Sequence, residues 1–237
     1  MTPGLYIVGT PIGNLADITL RALETLKAAD LIAAEDTRHT RILLDRYEIR
    51  APLASCHKFN EAARTEFILE KIRGGAAVAL VTDSGMPAVS DPGSRVVAAC
   101  RKAGFPVAVV PGPSAVSAAV ALCGFGGGGY VFDGFLPPKS GARRKRLERL
   151  AGQDVPVVLF ESPYRLLRLM GEIEEVMGAR ELFVGRELTK HFEEHLAGTP
   201  AEIRAAFGTR SVKGELVVVI APAPRGARAV DTRGDGC

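Results

Sequence analysis

The sequence predicts an α/β fold with a largely parallel sheet in its N-terminal half, and three observations predict it. Short apolar or β-branched runs alternate with segments of helical period. The alternation repeats at the spacing of strand, helix, strand, which calls for crossover connections and a sheet covered by helices. Each clear run in that half leads directly into a turn that carries glycine, proline or a short polar cap.

In chain order, LYIV at Leu5 reads as the first strand, followed by a helix on which Leu20, Leu23 and Leu26 share a face. LIAA at Leu31 is the second strand. A helix-length segment from Asn60 to Arg73 precedes the strand AVALV ending at Val81, and Ser94 to Ala103 precedes PVAVV ending at Val110. A small-residue helix then runs into GFGGGG, Gly124 to Gly129, which has nothing to pack and reads as a connection. The domain boundary is placed there, giving an N-terminal α/β domain over 1–123 and a C-terminal one over 124–222. The second domain opens with YVFDGF and a basic helix, then VPVVLF ending at Phe160, after which Ser162 reads as an N-cap and Pro163 as the first helical residue. Leu166, Met170, Ile173 and Met177 follow at helical spacing, TPAE from Thr199 to Glu202 reads as a capping box, and GELVVVIA makes a last strand. The remainder, 223–237, has no apolar period and is expected to be disordered.

Composition narrows the function. With 47% hydrophobic and 24% charged residues in 237, the chain can bury a substantial core. No apolar window is long enough to span a bilayer and no leader peptide is recognisable, so the reading is a cytoplasmic protein without a membrane segment. The four cysteines form no CxxC pair and are expected as buried thiols. The net charge of +3 is unevenly placed: Lys139, Arg143, Arg144, Lys145, Arg146 and Arg149 face only Glu148 in one stretch. Such a patch at helical spacing, with Leu147 and Leu150 inward and the arginines outward, suits phosphate contacts with RNA.

Four turns share one design. GTPIGNL, AEDTR, TDSGMPAVSDPG and PGPSA each follow a strand, so all fall at carboxyl ends, the edge of an open parallel sheet where ligands bind. Neither GxxxxGK[ST] nor GxGxxG is present, which disfavours a phosphate-cradled nucleotide and favours a cofactor held by backbone groups, Asp or Ser side chains and apolar walls. HFEEH, His191 to His195, matches the pattern of inverted zinc proteases. It follows a strand-like ELFVG and is too short for a helix before the next cap, so a zinc hydrolase is a remote alternative and no metal is expected.

Eight ordered motifs carry a resemblance: GTPIGNL at Gly9, AEDTR at Ala34, TDSGMPAVSDPG at Thr82, VPGPSA at Val110, GFLPPK at Gly134, FESPYR at Phe160, RELTK at Arg186 and KGE at Lys213. The chain resembles the tetrapyrrole methylase-like superfamily and, within it, the ribosomal RNA small subunit methyltransferase I family. The resemblance implies two α/β domains, the second with a mixed sheet, S-adenosylmethionine in the interdomain cleft, and a homodimer. It implies 2′-O-methylation of a cytidine ribose in the decoding region of 16S rRNA, either as free RNA or in the small ribosomal subunit. Carried over by position, cofactor contacts fall on Pro11, Asp83, Ser84, Gly85, Met86, Val89, Ser114, Ala115 and Phe160, and RNA contacts on Lys139, Arg143, Arg144, Lys145 and Arg146. A ribose hydroxyl holds its proton tightly near neutral pH, so a base or an alkoxide-stabilising cation is needed. Glu161, Arg186, Glu187 and Lys190 are the catalytic candidates, with Asp36 and Arg38 as further possibilities. FESPYR has Tyr164 where the family more usually has histidine. The alternative is the same fold methylating a small molecule such as a tetrapyrrole precursor.

Overall fold

The computed structural model describes residues 1–126 and 128–224, and the chain separates into two compact units that divide between Ala115 and Val116. The division falls one helix before the expected position at 123/124. The expected disordered tail lies almost wholly outside the described residues.

The first unit is a five-stranded, all-parallel sheet in the order β3-β2-β4-β1-β5: β1 (Gly4–Val8), β2 (Leu31–Ala34), β3 (Leu53–Ser55), β4 (Ala77–Val81) and β5 (Val107–Val110). Side-chain alternation builds two cores. Val8, Ile32, Ala34, Ala79 and Val81 face α1 (Leu20–Ala28) and α2 (Thr37–Arg46), while Leu5, Leu31, Ala33, Val78 and Leu80 face α3 (Glu61–Arg73) and α4 (Ser94–Lys102). Because both faces are covered, β4 is buried along its whole length, as a near-continuous apolar run requires. Cys56 and Cys100 are in the second of these cores, and burial pushes the Cys56 thiol up to about 11. On α1 the inward face differs from the expected one: Ala22, Thr25 and Leu26 are buried, whereas Leu20, next to the Thr19 cap, is 79% exposed. From the neighbours β1 and β4 the chain departs in opposite directions, to β2 and to β5, so the loops after them meet at a topological switch point.

The second unit holds α5 (Ala115–Cys123) from Val116 onward and a mixed sheet ordered β6-β7-β10-β8-β9. Its strands are β6 (Val131–Phe135), β7 (Val157–Glu161), β8 (Leu182–Arg186), β9 (Glu194–Gly198) and β10 (Leu216–Ile220). Only β6 and β7 run parallel. One face packs on α6 (Ser140–Leu150), α7 (Leu166–Met177) and α8 (Pro200–Gly208) through Leu147, Leu150, Leu169, Ile173, Ile203 and Phe207. The capping box at Thr199 and Glu202 forms as expected, with Pro200 in the first turn. Ser162 does not cap α7. Its carbonyl instead accepts from the Arg165 amide (2.9 Å), closing a turn, and the helix begins at Leu166.

Candidate functional site

The carboxyl edge of the first sheet is joined loop to loop by short contacts. Thr10 and Gly85 exchange backbone hydrogen bonds (2.9 and 3.2 Å), and the Thr10 hydroxyl donates to the carbonyls of Thr82 (3.1 Å) and Gly85 (3.3 Å). This ties the turn after β1 to the turn after β4. Asp83 Oδ1 accepts from the Asp36 amide (3.0 Å) and the Thr82 hydroxyl donates to Glu35 Oε2 (2.6 Å), which ties in the turn after β2. The turn after β5 is held by steric fit: a Cβ on Gly9 would sit 2.7 Å from Gly112 Cα, and one on Gly112 would sit 2.8 Å from Gly9 Cα. Only glycine at both positions lets these two backbones approach.

The expected cofactor residues of this unit therefore share one edge, but their parts differ. Gly85, at φ +84, spends its amide on Thr10 and acts as a brace. The amides of Ser84 and Met86, by contrast, donate to no group among the described residues. Asp83, Ser84, Met86, Ser114 and Ala115 are half-buried, Pro11 is buried and Val89 is 44% exposed. Burial pushes the Asp83 carboxyl above its ordinary value, opposed by the hydrogen bond from the Asp36 amide. Ala88 and Ser90, both at φ +66, place non-glycine residues in the left-handed region beside Val89, a strain that concentrates at ligand sites. Free amide donors, a half-buried carboxyl and apolar Met86 and Val89 fit an amino-acid-bearing nucleoside cofactor better than a polyphosphate.

Asp36 and Arg38 have local work. The Asp36 side chain caps α2 through the Arg38 amide (2.8 Å), and the Arg38 guanidinium, 90% exposed, folds back onto it. The hydrogen bonds from Arg38 hold the Asp36 carboxyl well below the usual range. This pair caps α2.

In the second unit the four catalytic candidates divide into three groups. Arg186 belongs to one ion-pair group, with Glu194 and Arg210, and Glu187 and Lys190 to a second one with Glu215. Arg186 donates to Glu194 Oε2 (2.8 Å) and to the carbonyls of Lys213 and Phe192 (3.1 Å each), while Glu194 also pairs with Arg210. Lys190 Nζ bridges Glu187 Oε1 (2.9 Å) and Glu215 Oε2 (2.8 Å). Burial alone would depress Lys190, yet its two carboxylate partners outweigh that and raise it. For Glu187, burial is likewise outweighed, by Lys190 and the Glu215 amide, and its pKa is lowered. Lys190 is thus a firm cation and Glu187 a weak base.

Glu161 stands apart at the end of β7, its side chain 0% exposed. Oε1 accepts from the Ser162 amide (2.7 Å) and lies 3.1 Å from Arg165 Nε, whereas Oε2 is buried with no hydrogen-bond partner among the described residues. Burial pushes this carboxyl up against the opposing pull of Ser162, Arg165 and Arg143. A carboxyl closed off in this way braces the start of α7 and cannot touch a substrate as it stands. Phe160 packs its ring on Phe132 and Phe135, at centroid distances of 5.0 and 5.6 Å. Tyr164 is 94% exposed.

The basic helix α6 also needs a correction. Arg143 points inward, 1% exposed, where its guanidinium pairs with Glu172 through two nitrogens and donates to the carbonyls of Pro137 (3.3 Å) and Pro138 (3.1 Å). It cannot meet an RNA phosphate. Arg144 pairs with Glu175 (2.7 Å) and Arg146 with Asp133. The outward cations without an ion pair among the described residues are Lys139, Lys145 and Arg149. HFEEH is a turn entering β9, so His191 and His195 do not lie one helical turn apart, and His195 Nε2 pairs with Glu193 (2.8 Å). Among the described residues no group of three or more metal-ligating side chains forms, and no helix is long and apolar enough to cross a membrane.

Fold and loops together define a two-unit α/β protein with a glycine-built binding edge at a topological switch point. The chain belongs to the tetrapyrrole (corrin/porphyrin) methylase family, whose model matches residues 4–204, and within it groups with the ribosomal RNA small subunit methyltransferase I proteins. It is 47% identical over 216 residues to that protein of Thermotoga maritima, covering 91% of this chain and 97% of the relative. With the corresponding protein of Mesorhizobium japonicum it is 46% identical over 94% of this chain and 76% of the relative. Among solved structures, a cobalt precorrin-4 methyltransferase superposes with a TM-score of 0.70 at 20% identity, covering 92% of this chain and 94% of that one. Uroporphyrin-III C-methyltransferase from Thermus thermophilus, complexed with S-adenosylhomocysteine, superposes with a TM-score of 0.66 at 19% identity, covering 91% and 96%. At these identities the two structures speak for the fold.

Proposed function

We propose that the chain is an S-adenosylmethionine-dependent methyltransferase that modifies a cytidine ribose 2′-oxygen in the decoding region of small-subunit rRNA. The observation that carries the cofactor half is the interlocked edge of Gly9, Gly85 and Gly112, which presents unspent amides at Ser84 and Met86. The RNA half rests on relatives named for small-subunit ribosomal RNA and on the cations of α6 that have no ion pair among the described residues.

S-adenosylmethionine, when bound, supplies an electrophilic sulfonium methyl with a thioether as leaving group. The Ser84 and Met86 amides would hold its amino-acid part, Met86, Val89 and Pro11 would supply apolar contacts, and Asp83, Ser114 and Ala115 would complete the site. Lys190, kept cationic by Glu187 and Glu215, suits stabilising the ribose oxygen as its proton departs to solvent water. Glu187 holds Lys190 in place, Arg186 braces the turn before β9 through Glu194 and the Phe192 carbonyl, and Glu161 acts at a distance by positioning α7.

The test is to incubate the purified protein with S-adenosylmethionine and either free 16S rRNA or small ribosomal subunits, then map ribose methylation. One new 2′-O-methylcytidine in the decoding region is the expected result. Methyl transfer to a tetrapyrrole precursor with none to rRNA would replace the reading with the small-molecule one.

A further inference from the structure

Beside the Arg186 cluster lies a cavity of about 270 Å³ lined by Arg186, Phe192, Phe207, Arg210, Val212 and Lys213. Its size is that of a small ring system rather than a large ligand. Two features set it apart from larger grooves elsewhere. The groove between α6, α7 and α8 balances Arg144, Arg168 and Arg204 against Glu172, Glu174 and Glu175, and the hollow below β2 and α3 carries Asp30 and Glu70 against Lys71. In the small cavity three cations line the wall and no carboxylate does. Glu194, just outside it, pairs with Arg186 and Arg210, so one positive charge of that trio is offset, and Lys213 is exposed without an ion pair among the described residues.

The second feature is aromatic. Phe192 is 68% exposed, a large apolar ring held out in the turn before β9, with its edge steadied by the His191 ring at 4.7 Å. Across the cavity wall the Arg210 guanidinium lies over the Phe207 ring at 4.9 Å, a stack that fixes a flat cationic surface 44% exposed to solvent. An exposed aromatic face, a planar guanidinium and a free ammonium are the groups that hold an unstacked nucleobase and its phosphate.

We propose that this cavity is a nucleotide subsite for single-stranded RNA, taking one base against Phe192 and Arg210 with its phosphate on Lys213. The inference rests on the rRNA reading of the function and gives it a second contact surface besides α6. Arg186, which lines the cavity, is the chain neighbour of Glu187, whose carboxylate holds Lys190.

The experiment measures binding of a fluorescently labelled single-stranded RNA to the full chain by anisotropy across a salt series, for wild type, Phe192→Ala, Phe192→Tyr and Lys213→Gln. Both positions are exposed, so each variant should melt at the wild-type temperature. Phe192→Ala should weaken binding by at least ~5-fold and Phe192→Tyr should restore it. Lys213→Gln should reduce the slope of log K against log salt by about 0.7. Wild-type affinity in Phe192→Ala, failure of tyrosine to rescue, or an unchanged slope in Lys213→Gln would overturn the subsite while leaving the rRNA reading intact. A wild-type chain that binds neither this RNA nor small subunits would overturn the rRNA reading itself.

Discussion

The two units prepare their functional edges by opposite means. In the first, the edge is backbone: glycines pressed together, amides left free and few charges. In the second it is side chain: Arg143, Arg144, Arg146, Arg186 and Lys190 are each committed to a carboxylate partner. A backbone edge is set once the sheet forms and tolerates no added atom at the crossing of Gly9 and Gly112. A charged edge is only as good as its pairing, and losing one partner strands the other.

That contrast can be broken most severely on α6. Arg143→Met leaves Glu172 buried without its guanidinium partner, which should cost about 3–5 kcal/mol in urea unfolding, while Lys145→Ala, two residues further along the same helix on its exposed face, should stay within about 0.5 kcal/mol. Equal effects would erase the distinction between inward and outward cations. Next in size, Gly112→Ala forces a Cβ into the Gly9 backbone and should destabilise the first unit by about 1–3 kcal/mol, with loss of cofactor affinity well beyond what the stability change explains. Calorimetry alongside thermal melting separates the two.

A smaller effect is expected at Glu161. Its folded-state pKa is raised, so its contribution to stability is complete below the ordinary carboxyl value of 4.5 and is lost as pH rises through the raised value. Glu161→Gln should remove that decline, giving a flatter stability profile above pH 4.5, measured by unfolding at a series of pH values. A variant that declines as wild type does would show that the carboxyl is not the source. Smallest of all, Lys145→Glu should leave folding unchanged and lower the salt dependence of RNA binding, because Lys145 is exposed and has no ion pair among the described residues.

Much of the first unit was legible because local pattern and tertiary role agree there. LIAA and AVALV are strands at those residues since a doubly covered parallel sheet needs unbroken apolar runs, and the turns after them had to share an edge. β3 escaped notice: three half-buried residues at the sheet margin carry too little pattern. So did α2, whose signal is the Asp36 cap in AEDTR, read instead as chemistry. On α6 the spacing of Arg143, Leu147 and Leu150 already puts the arginine on the buried stripe, but its partner Glu172 is 29 residues away and invisible to local reading. The same holds for Lys190, whose bridge to Glu215 closes only when β8 and β10 pair. Motifs announced which residues cluster; which of them remain free to act is a property of long-range pairing.

The most direct test of the backbone-built edge is titration of S-adenosylmethionine into the purified protein by calorimetry, with Gly112→Ala and Lys145→Glu in parallel. The account predicts saturable binding at one cofactor per chain in wild type and in Lys145→Glu, and its loss in a folded Gly112→Ala. Absence of binding in wild type, or wild-type affinity in folded Gly112→Ala, would contradict it.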